Sequence, residues 1–369
     1  MTAIIIGASA SGLAAAIQLK RNIEGADVTV IERLDAPCKK LLATGNGRCN
    51  LTNTKAKSYK EVSQFFASLG LMLREEEERV YPYSLKAETV ASVLLRECDK
   101  LGIKIITQCT AERIDKHLNV YTSKGLFKAN RVIVCTGGCA QSNLGSNGSG
   151  YEILKSLGHS VTPVYPALVQ LISSSKYPRM IKGTRTKCLV SAEIDGEIVK
   201  SEYGEVLFTD YGLSGIAVMN LSCVFSKALS KKKSARCTAV IDLIPEMSNE
   251  EILSYLERFG DLKGILGTKL SDIIIKQSDG DLKKASAIAK GWRLIITGTK
   301  GFDFAQIASG GIPLDEVNGF KSKKVKGLYI CGEILDKQFE CGGFNLDFAF
   351  HSGIAAANTI TEEYKNDKN

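Results

Sequence analysis

Apolar and polar positions fall into blocks along the chain, and the first block sets the frame for the rest. Ala3-Ile4-Ile5-Ile6 is apolar at every position, as a parallel strand covered on both faces requires. It runs into Gly7-Ala8-Ser9-Ala10-Ser11-Gly12, and Leu13 to Leu19 then read as a strong helix former without Gly or Pro. Val28-Thr29-Val30-Ile31 predicts a second strand that ends in an acid, Glu32, twenty residues beyond Gly12. Strand, glycine turn, helix, strand and acid in this register predict a βαβ unit with the turn of a dinucleotide site. Gly7 permits the tight turn and Gly12 permits close helix–strand packing. The free N–H groups and positive dipole end of the helix then face a pyrophosphate. Glu32 would take the hydroxyls of the adenosine ribose. Ser9 stands where G-x-G-x-x-G has its middle glycine, and this small residue, which also offers a hydroxyl, is read as tolerated.

The next stretch, Cys38 to Asn53, holds two glycines, two lysines, an arginine and three amides within sixteen residues, which suits a loop that wraps an anion. Residues 59–69 and 87–101 predict helices. The acidic run Glu75 to Glu78 reads as a solvated segment, and Tyr81-Pro82-Tyr83-Ser84 as a break. Short strand-like pieces follow at 104–107, 111–115, 118–123 and 126–129, leading into Arg131-Val132-Ile133-Val134-Cys135-Thr136-Gly137-Gly138. A plain NAD-linked dehydrogenase fold would continue in alternating βα units. A small β-meander followed by an apolar strand ending in Thr-Gly-Gly instead resembles the FAD-binding version of the fold, as in glutathione-reductase-type flavoproteins.

Gly145 to Gly150 is a further flexible loop, with a helix from Tyr151 to Leu157 behind it. From Pro163 to about Ser222 the pattern turns strand-rich, with pieces at 168–172, 187–194 and 197–203. Gly204 to Gly215 then enters a helix at about Ile216. Residues 249–292 read as mainly helical and amphipathic and carry the only Trp, Trp292. The last part returns to the style of the first. Lys326 to Glu333 is a strand ending in Gly332-Glu333, and Gly342-Gly343-Phe344-Asn345-Leu346 opens a helix. A nucleotide domain split by a β-plus-helix insertion fits this order.

Composition narrows the field. At 369 residues, 44% hydrophobic and 24% charged, the chain has the composition of an ordinary globular protein and room for two or three domains. No run approaches the length of a membrane span, and the N-terminus lacks the basic leader of a signal peptide, so a cytoplasmic protein is expected. The 11 Cys form no C-x-x-C, which argues against a dithiol–disulfide reductase and favours buried reduced thiols. With three His (His117, His159, His351) no zinc constellation can be drawn. The net charge of +8 includes basic clusters at Lys231-Lys232-Lys233 and Lys321 to Lys326. Neither is interleaved with aromatic residues, so both read as solvated loops rather than a nucleic-acid site. Anionic cofactors or substrates account for the excess equally well.

Gly45-Asn46-Gly47-Arg48-Cys49-Asn50-Leu51-Thr52-Asn53 resembles the G-G-G-R-C-N-x-T-N signature of the BaiN/YhiN-type NAD(P)/FAD-dependent oxidoreductases. Thr136-Gly137-Gly138 with its following glycine loop, Gly204 to Gly215, and Gly332-Glu333 through Leu346 agree with it. Ser9, Asn46, Ile216 and His351 depart from the family pattern. Ile216 stands where the family often has Pro, and His351 where a small residue is usual. The resemblance implies an α/β fold, a Rossmann-like FAD-binding domain with a β-meander, interrupted by an inserted β-barrel-like domain and a small helical one. The expected spans are 1–162 and 299–369 for the FAD-binding domain, 163–225 for the β-rich insertion and 226–298 for the helical part.

Carried over by residue, the resemblance implies that Ser9, Ala10 and Gly12, with Gly7 shaping the turn, cradle the pyrophosphate. Glu32 would hold the adenosine ribose with Arg33 beside it. Lys40, Arg48 and Asn50 would lie along the phosphates and flavin. Ala111 would meet the adenine through its backbone, with Thr136 and Gly137 flanking the nucleotide. Glu333, after Gly332, would approach the ribityl chain. Asn345 and Leu346, after Gly343, would present N–H groups to the flavin's pyrimidine edge, where they stabilise negative charge on the reduced ring.

No second βαβ fingerprint is present. NADH or NADPH would therefore dock transiently as electron donor, or the organic substrate would itself reduce the flavin. No catalytic residue stands out. Tyr211 reads as a packing or hinge residue, His351 as a packed helix-face histidine, and Cys49 and Cys341 lack a resolving partner. The leading expectation is an FAD-dependent oxidoreductase acting on a small molecule, by resemblance an unsaturated carbonyl compound reduced with NAD(P)H. Amine or amino-ketone oxidation with oxygen, a flavin-carrying RNA-modifying protein, and an NAD-holding Rossmann dehydrogenase remain open. The oligomeric state carries no sequence signal.

Overall fold

The structure is a computed structural model that describes residues 1–232 and 234–367. Lys233 of the first basic cluster lies outside the described residues. The chain divides into two compact units, Met1–Val164 joined by the chain from Ile307 onward, and Tyr165–Gln306.

The first unit is built on a seven-stranded sheet. Its parallel core runs Leu328–Ile330, Arg131–Val134, Thr2–Ile6, Asp27–Ile31, Lys104–Ile106, and the short strands Lys321–Ser322 and Val317–Asn318 extend one edge. Thr2–Ile6 lies at the centre, which explains its unbroken apolar run. Ala3 and Ile5 point into one core and Ile4 and Ile6 into the other. Each buried Ile contributes about 1.5–3 kcal/mol relative to an exposed one. The first helix (Ala10–Asn22), the helix Ala87–Lys100 and the last helix (Phe344–Asn366) pack with the first of these cores. The meander and the helix Ser149–Ser156 pack with the second. Gly353 lets the first and last helices approach closely, since a Cβ there would stand 2.1 Å from the Ser11 carbonyl oxygen.

Two local readings are corrected. Lys104–Ile106 joins the parallel sheet beside Asp27–Ile31, so the meander has three strands, Ala111–Ile114, Asn119–Thr122 and Gly125–Lys128. The acidic run is not a featureless solvated segment. Leu73–Glu76 pairs antiparallel with Arg79–Pro82, and the hairpin turns at Glu77 and Glu78 in the left-handed region (φ 49 and 68). Strand pairing overrides the low β-propensity of glutamate there, and Pro82 is tolerated because it ends its strand.

The second unit contains a closed barrel in the order Leu171–Ser173, Gly212–Ser214, Glu197–Phe208, Arg185–Ile194, Cys237–Asp242, Trp292–Thr299. The barrel therefore takes Cys237–Asp242 and Trp292–Thr299 from the span expected to be helical. Trp292 is not on a helix. Its segment alternates, with Trp292, Leu294 and Ile296 buried and Arg293 and Ile295 exposed, the period of a half-buried strand. Glu197–Phe208 runs on through Gly204 rather than breaking there into a loop. The helices Ile216–Lys231, Asn249–Phe259, Thr268–Ser278 and Leu282–Lys290 and the single turns Tyr177–Met180 and Lys263–Leu266 belong to the same unit. Tyr211 sits in the turn before Gly212–Ser214, with the Lys300 ammonium 4.9 Å from its ring centre. Among the described residues no helix is long and apolar enough to cross a membrane, and no acid, His and Cys cluster could hold a metal ion. The eleven cysteines carry no disulfide.

Candidate functional site

All of the expected site residues lie in the first unit. Gly7 follows the central strand at φ +108, and a Cβ there would come within 2.3 Å of the Cys135 carbonyl oxygen. A Cβ on Gly12 would stand 1.9 Å from the Gly7 carbonyl oxygen. Neither position admits a side chain, so turn and helix meet through backbone alone. Ser9 is the N-cap of the first helix but its hydroxyl caps nothing. The first intrahelical bond runs from the Leu13 N–H to the Ser9 carbonyl, which leaves the N–H groups of Ala10, Ser11 and Gly12 without helical acceptors.

Glu32 holds the glycine turn itself together. One carboxylate oxygen accepts the Ala8 N–H at 3.0 Å and the other the Leu34 N–H at 2.8 Å, so it clamps the glycine turn to the end of the second strand. Each oxygen keeps a lone pair for a further donor. Its carbonyl accepts the Cys109 N–H, two residues before the buried Ala111, which brings the meander strand to the same end of the sheet. Arg33 donates to the Ser142 and Gly145 carbonyls at 3.1 and 3.2 Å and so ties down the loop behind Thr136-Gly137. Gly137 (φ +71) closes on the loop behind it, and Gly332 (φ +80) closes on the start of the first helix. Their added Cβ atoms would fall 2.5 Å from Ser146 Oγ and 2.8 Å from Ser11 Oγ. The Gly332 N–H donates to Ser352 Oγ at 2.9 Å.

Lys40 and Glu333, expected at separate parts of a nucleotide, are joined. Lys40 Nζ lies 2.8 Å from Glu333 Oε2 and 3.2 Å from the Ala140 carbonyl, and Glu333 Oε1 accepts the Ala308 N–H at 3.0 Å. Gly138 makes room for them, since a Cβ there would stand 2.8 Å from Glu333 Oε1 and 3.2 Å from the Tyr151 hydroxyl. That hydroxyl is buried without a partner, and burial together with Glu333 raises its pKa. Burial likewise pushes the nearby Cys139 thiol up to about 11, so it stays protonated.

Arg48 is drawn to the acidic hairpin. Its guanidinium pairs with Glu76 and lies 4.5 Å from the Tyr81 ring centre. Asn46 takes φ 55, the left-handed region that asparagine tolerates, which explains how it replaces a glycine. Burial pushes the Cys49 thiol up to about 12, which removes it as a nucleophile at neutral pH.

A second uncapped helix start lies at Gly343 (φ +101), the N-cap of the last helix. A Cβ on Gly343 would stand 2.5 Å from the Thr52 carbonyl oxygen and 2.8 Å from Asn50 Oδ1, and that Oδ1 is buried without a hydrogen-bond partner. The Asn53 amide donates to the Gly342 carbonyl at 3.0 Å. The Asp347 N–H reaches the Gly343 carbonyl as the first helical bond, so the N–H groups of Phe344, Asn345 and Leu346 precede the ladder. The Asn345 side chain is already used. It accepts the Phe339 N–H and donates to the Phe339 carbonyl, both at 3.0 Å, holding the incoming loop.

The structure thus gathers Gly7, Ser9, Ala10, Gly12, Glu32, Thr136, Gly137 and Gly332 around the first helix start, and Asn50, Gly343, Asn345 and Leu346 around the last. Lys40 and Glu333 form one pair, and Arg48 faces the hairpin. Two helix N-termini without caps and glycine turns whose Cβ atoms would strike backbone suit an anionic dinucleotide, and the orphaned Asn50 oxygen beside the second calls for a hydrogen-bond donor on the same ligand. Sequence reasoning alone misses Thr52, Tyr151 and Asp347. Only the i,i+4 spacing of Asp347 and His351 hints at the last of them.

The HI0933-like protein Rossmann domain matches residues 57–359, and an NAD(P)-binding Rossmann-like domain matches residues 5–42. A 3-dehydro-bile acid delta(4,6)-reductase of Clostridium scindens is 34% identical, over 97% of this chain and 98% of that protein. A ribosomal RNA dihydrouridine synthase of Haemophilus influenzae is 27% identical, over 98% of each. Among solved structures, a 3-ketosteroid delta1-dehydrogenase from Sterolibacterium denitrificans shares the fold with a TM-score of 0.55 at 11% identity, covering 98% of this chain and 100% of that one.

Proposed function

The chain belongs to the HI0933-like Rossmann family, and we propose that it is an FAD-dependent reductase of a carbon–carbon double bond conjugated to a carbonyl, with NADH or NADPH as transient electron donor. The supporting structural observation is the pair of uncapped helix starts in one unit, each entered through glycines whose Cβ atoms would strike backbone. The name of the bile-acid relative describes removal of ring double bonds, and "dihydrouridine" likewise describes a ring that has gained two hydrogens.

FAD supplies hydride transfer when bound. The chain's own groups bind and orient it. In this reading the N–H groups of Ala10, Ser11 and Gly12 hold the pyrophosphate, and Glu32 offers its remaining lone pairs to ribose hydroxyls. Lys40, paired with Glu333, offers its remaining N–H donor along the phosphates. The N–H groups of Asn345 and Leu346 meet the pyrimidine edge, and Asn345 fixes the loop before them. The ribosomal-RNA relative favours a second reading, the same saturation performed on a uridine within RNA.

The test is anaerobic turnover of a panel of cyclic enones and dienones with NADH or NADPH, beside ribosomal RNA. Oxidation of NADH or NADPH matched by a product two hydrogens heavier supports the first reading. Turnover of RNA alone, with binding that weakens steeply in salt, supports the second. Oxidation of amines with oxygen would contradict both.

A further inference from the structure

A row of ionisable side chains lies behind the start of the last helix. Asp347 is buried four residues after Gly343, and its Oδ1 accepts the Thr52 hydroxyl at 2.5 Å. Thr52 is also the residue whose carbonyl closes on Gly343, so one short strand shapes the glycine turn and holds the carboxyl behind it. One helical turn further on, His351 Nδ1 is hydrogen-bonded to Glu61 of the helix Tyr59–Ser68. The Phe320 ring stands edge-on to the imidazole at 5.8 Å. The charged groups facing His351 are Glu61 from that neighbouring helix and Asp347 from its own. Asp347 faces Glu61 and His351, with Thr52 and the Ser58 backbone as neutral donors.

Packing alone does not call for this set. At 351 the chain carries a base between two acids, Glu61 and Asp347. Glu61 holds the imidazole's pKa above its ordinary value, with Asp347 adding to the effect, and burial raises that of Asp347 itself. A carboxylate in the first turn opposes negative charge arriving at the helix N-terminus, and an imidazolium one turn on favours it. We propose that Asp347 and His351, the latter held by Glu61, set the electron affinity of the flavin bound at the start of the last helix, acting in opposite directions. The proposal rests on the cofactor reading above. Both are positioning residues that act through the helix end rather than on substrate.

The test is the flavin midpoint potential of FAD-loaded wild type, Asp347→Asn, His351→Gln and Glu61→Gln, with the FAD Kd measured alongside. Asp347→Asn should raise the potential and His351→Gln should lower it, each by a tenfold change in the reduced-to-oxidised ratio, about 30 mV for a two-electron couple. Glu61→Gln, which removes the negative partner as well as the hold on the imidazole proton, should shift the potential less than His351→Gln does and move the bend in the potential-against-pH curve to lower pH. Simple structural damage would move the variants in one direction, so a common direction, or no change in Asp347→Asn and His351→Gln, overturns the proposal. Should a variant lose FAD, the imidazole titration of His351 in the cofactor-free protein, by NMR, replaces that measurement. It should fall to lower pH in Glu61→Gln, and an unchanged titration overturns the coupling. A wild type that takes up no FAD is seen in its absorption spectrum beforehand and contradicts the cofactor reading, and this proposal with it.

Discussion

In the inserted unit, the helix Asn249–Phe259 closes its own N-terminus. The Ser248 hydroxyl accepts the Glu251 N–H at 3.2 Å and the Glu251 carboxylate accepts the Ser248 N–H at 2.7 Å. The helix Leu282–Lys290 does the same through Asp281, which accepts two N–H groups of the first turn. In the dinucleotide unit the first and last helices have no side-chain cap. The helices Asn249–Phe259 and Leu282–Lys290 use their first-turn donors on themselves, while the first and last helices leave theirs without a side-chain partner. Lack of a cap is not sufficient, since Ala87–Lys100 has none either. Both site helices are entered through a glycine, Gly7 and Gly343, with positive φ and no room for a Cβ. Ile216–Lys231 of the inserted unit starts in the same way at Gly215. What separates the site helices is that two such starts stand in one unit, the first in a glycine turn between parallel strands. Open donors and a surface stripped to backbone together make an anion cradle.

The comparison can be broken most severely at Gly12. Gly12→Val would drive a side chain into the Gly7 carbonyl, and FAD retention after gel filtration should be lost altogether. Gly343→Ala adds a left-handed penalty of about 1–2 kcal/mol to a clash with the Thr52 carbonyl. A fluorescence titration should show FAD binding at least about tenfold weaker. Glu32→Gln leaves the Ala8 or the Leu34 N–H without its acceptor, at a cost of about 1–3 kcal/mol of folded-state stability read as a lower urea midpoint, and should weaken FAD binding through the loosened turn. Asp281→Ala or Ser248→Ala should instead cost about 1 kcal/mol of stability, seen as a lower Tm, with FAD Kd unchanged. The smallest effect concerns pH. Because Glu61 raises the pKa of His351 in the folded state, the pair's stabilisation is fully present below the unfolded histidine value of about 6.5. It is lost as pH rises through the raised value, so the difference in urea midpoint between wild type and His351→Gln should shrink on going from acid to alkaline buffer.

Much of this unit is legible because its rules are local. An all-apolar strand, a glycine turn and an uninterrupted helix former each act over a few residues, so Thr2–Ile6 and Ala10–Asn22 can be read directly. The resemblance extends that reading to the fold class and to Gly332, Glu333, Gly343 and Asn345. What escapes it is decided by pairing partners. Four consecutive glutamates suggest open solvent, yet the strand that ends at Glu76 exists because Arg79–Pro82 pairs with it. The helical pattern upstream suggests a helix at Trp292, while the barrel needs a closing strand there. The Lys40–Glu333 pair spans the whole insertion, and Thr52–Asp347 nearly the whole chain, so neither spacing is readable. The resemblance speaks for the Asn345 backbone, and nothing in the sequence shows that its side chain holds the loop at Phe339.

The most direct measurement is the anaerobic visible spectrum of the purified protein, incubated with FAD and freed of excess, before and after addition of NADH or NADPH. The account predicts a protein-bound flavin band that one of the two nucleotides bleaches. A protein that stays colourless after incubation with FAD would contradict it.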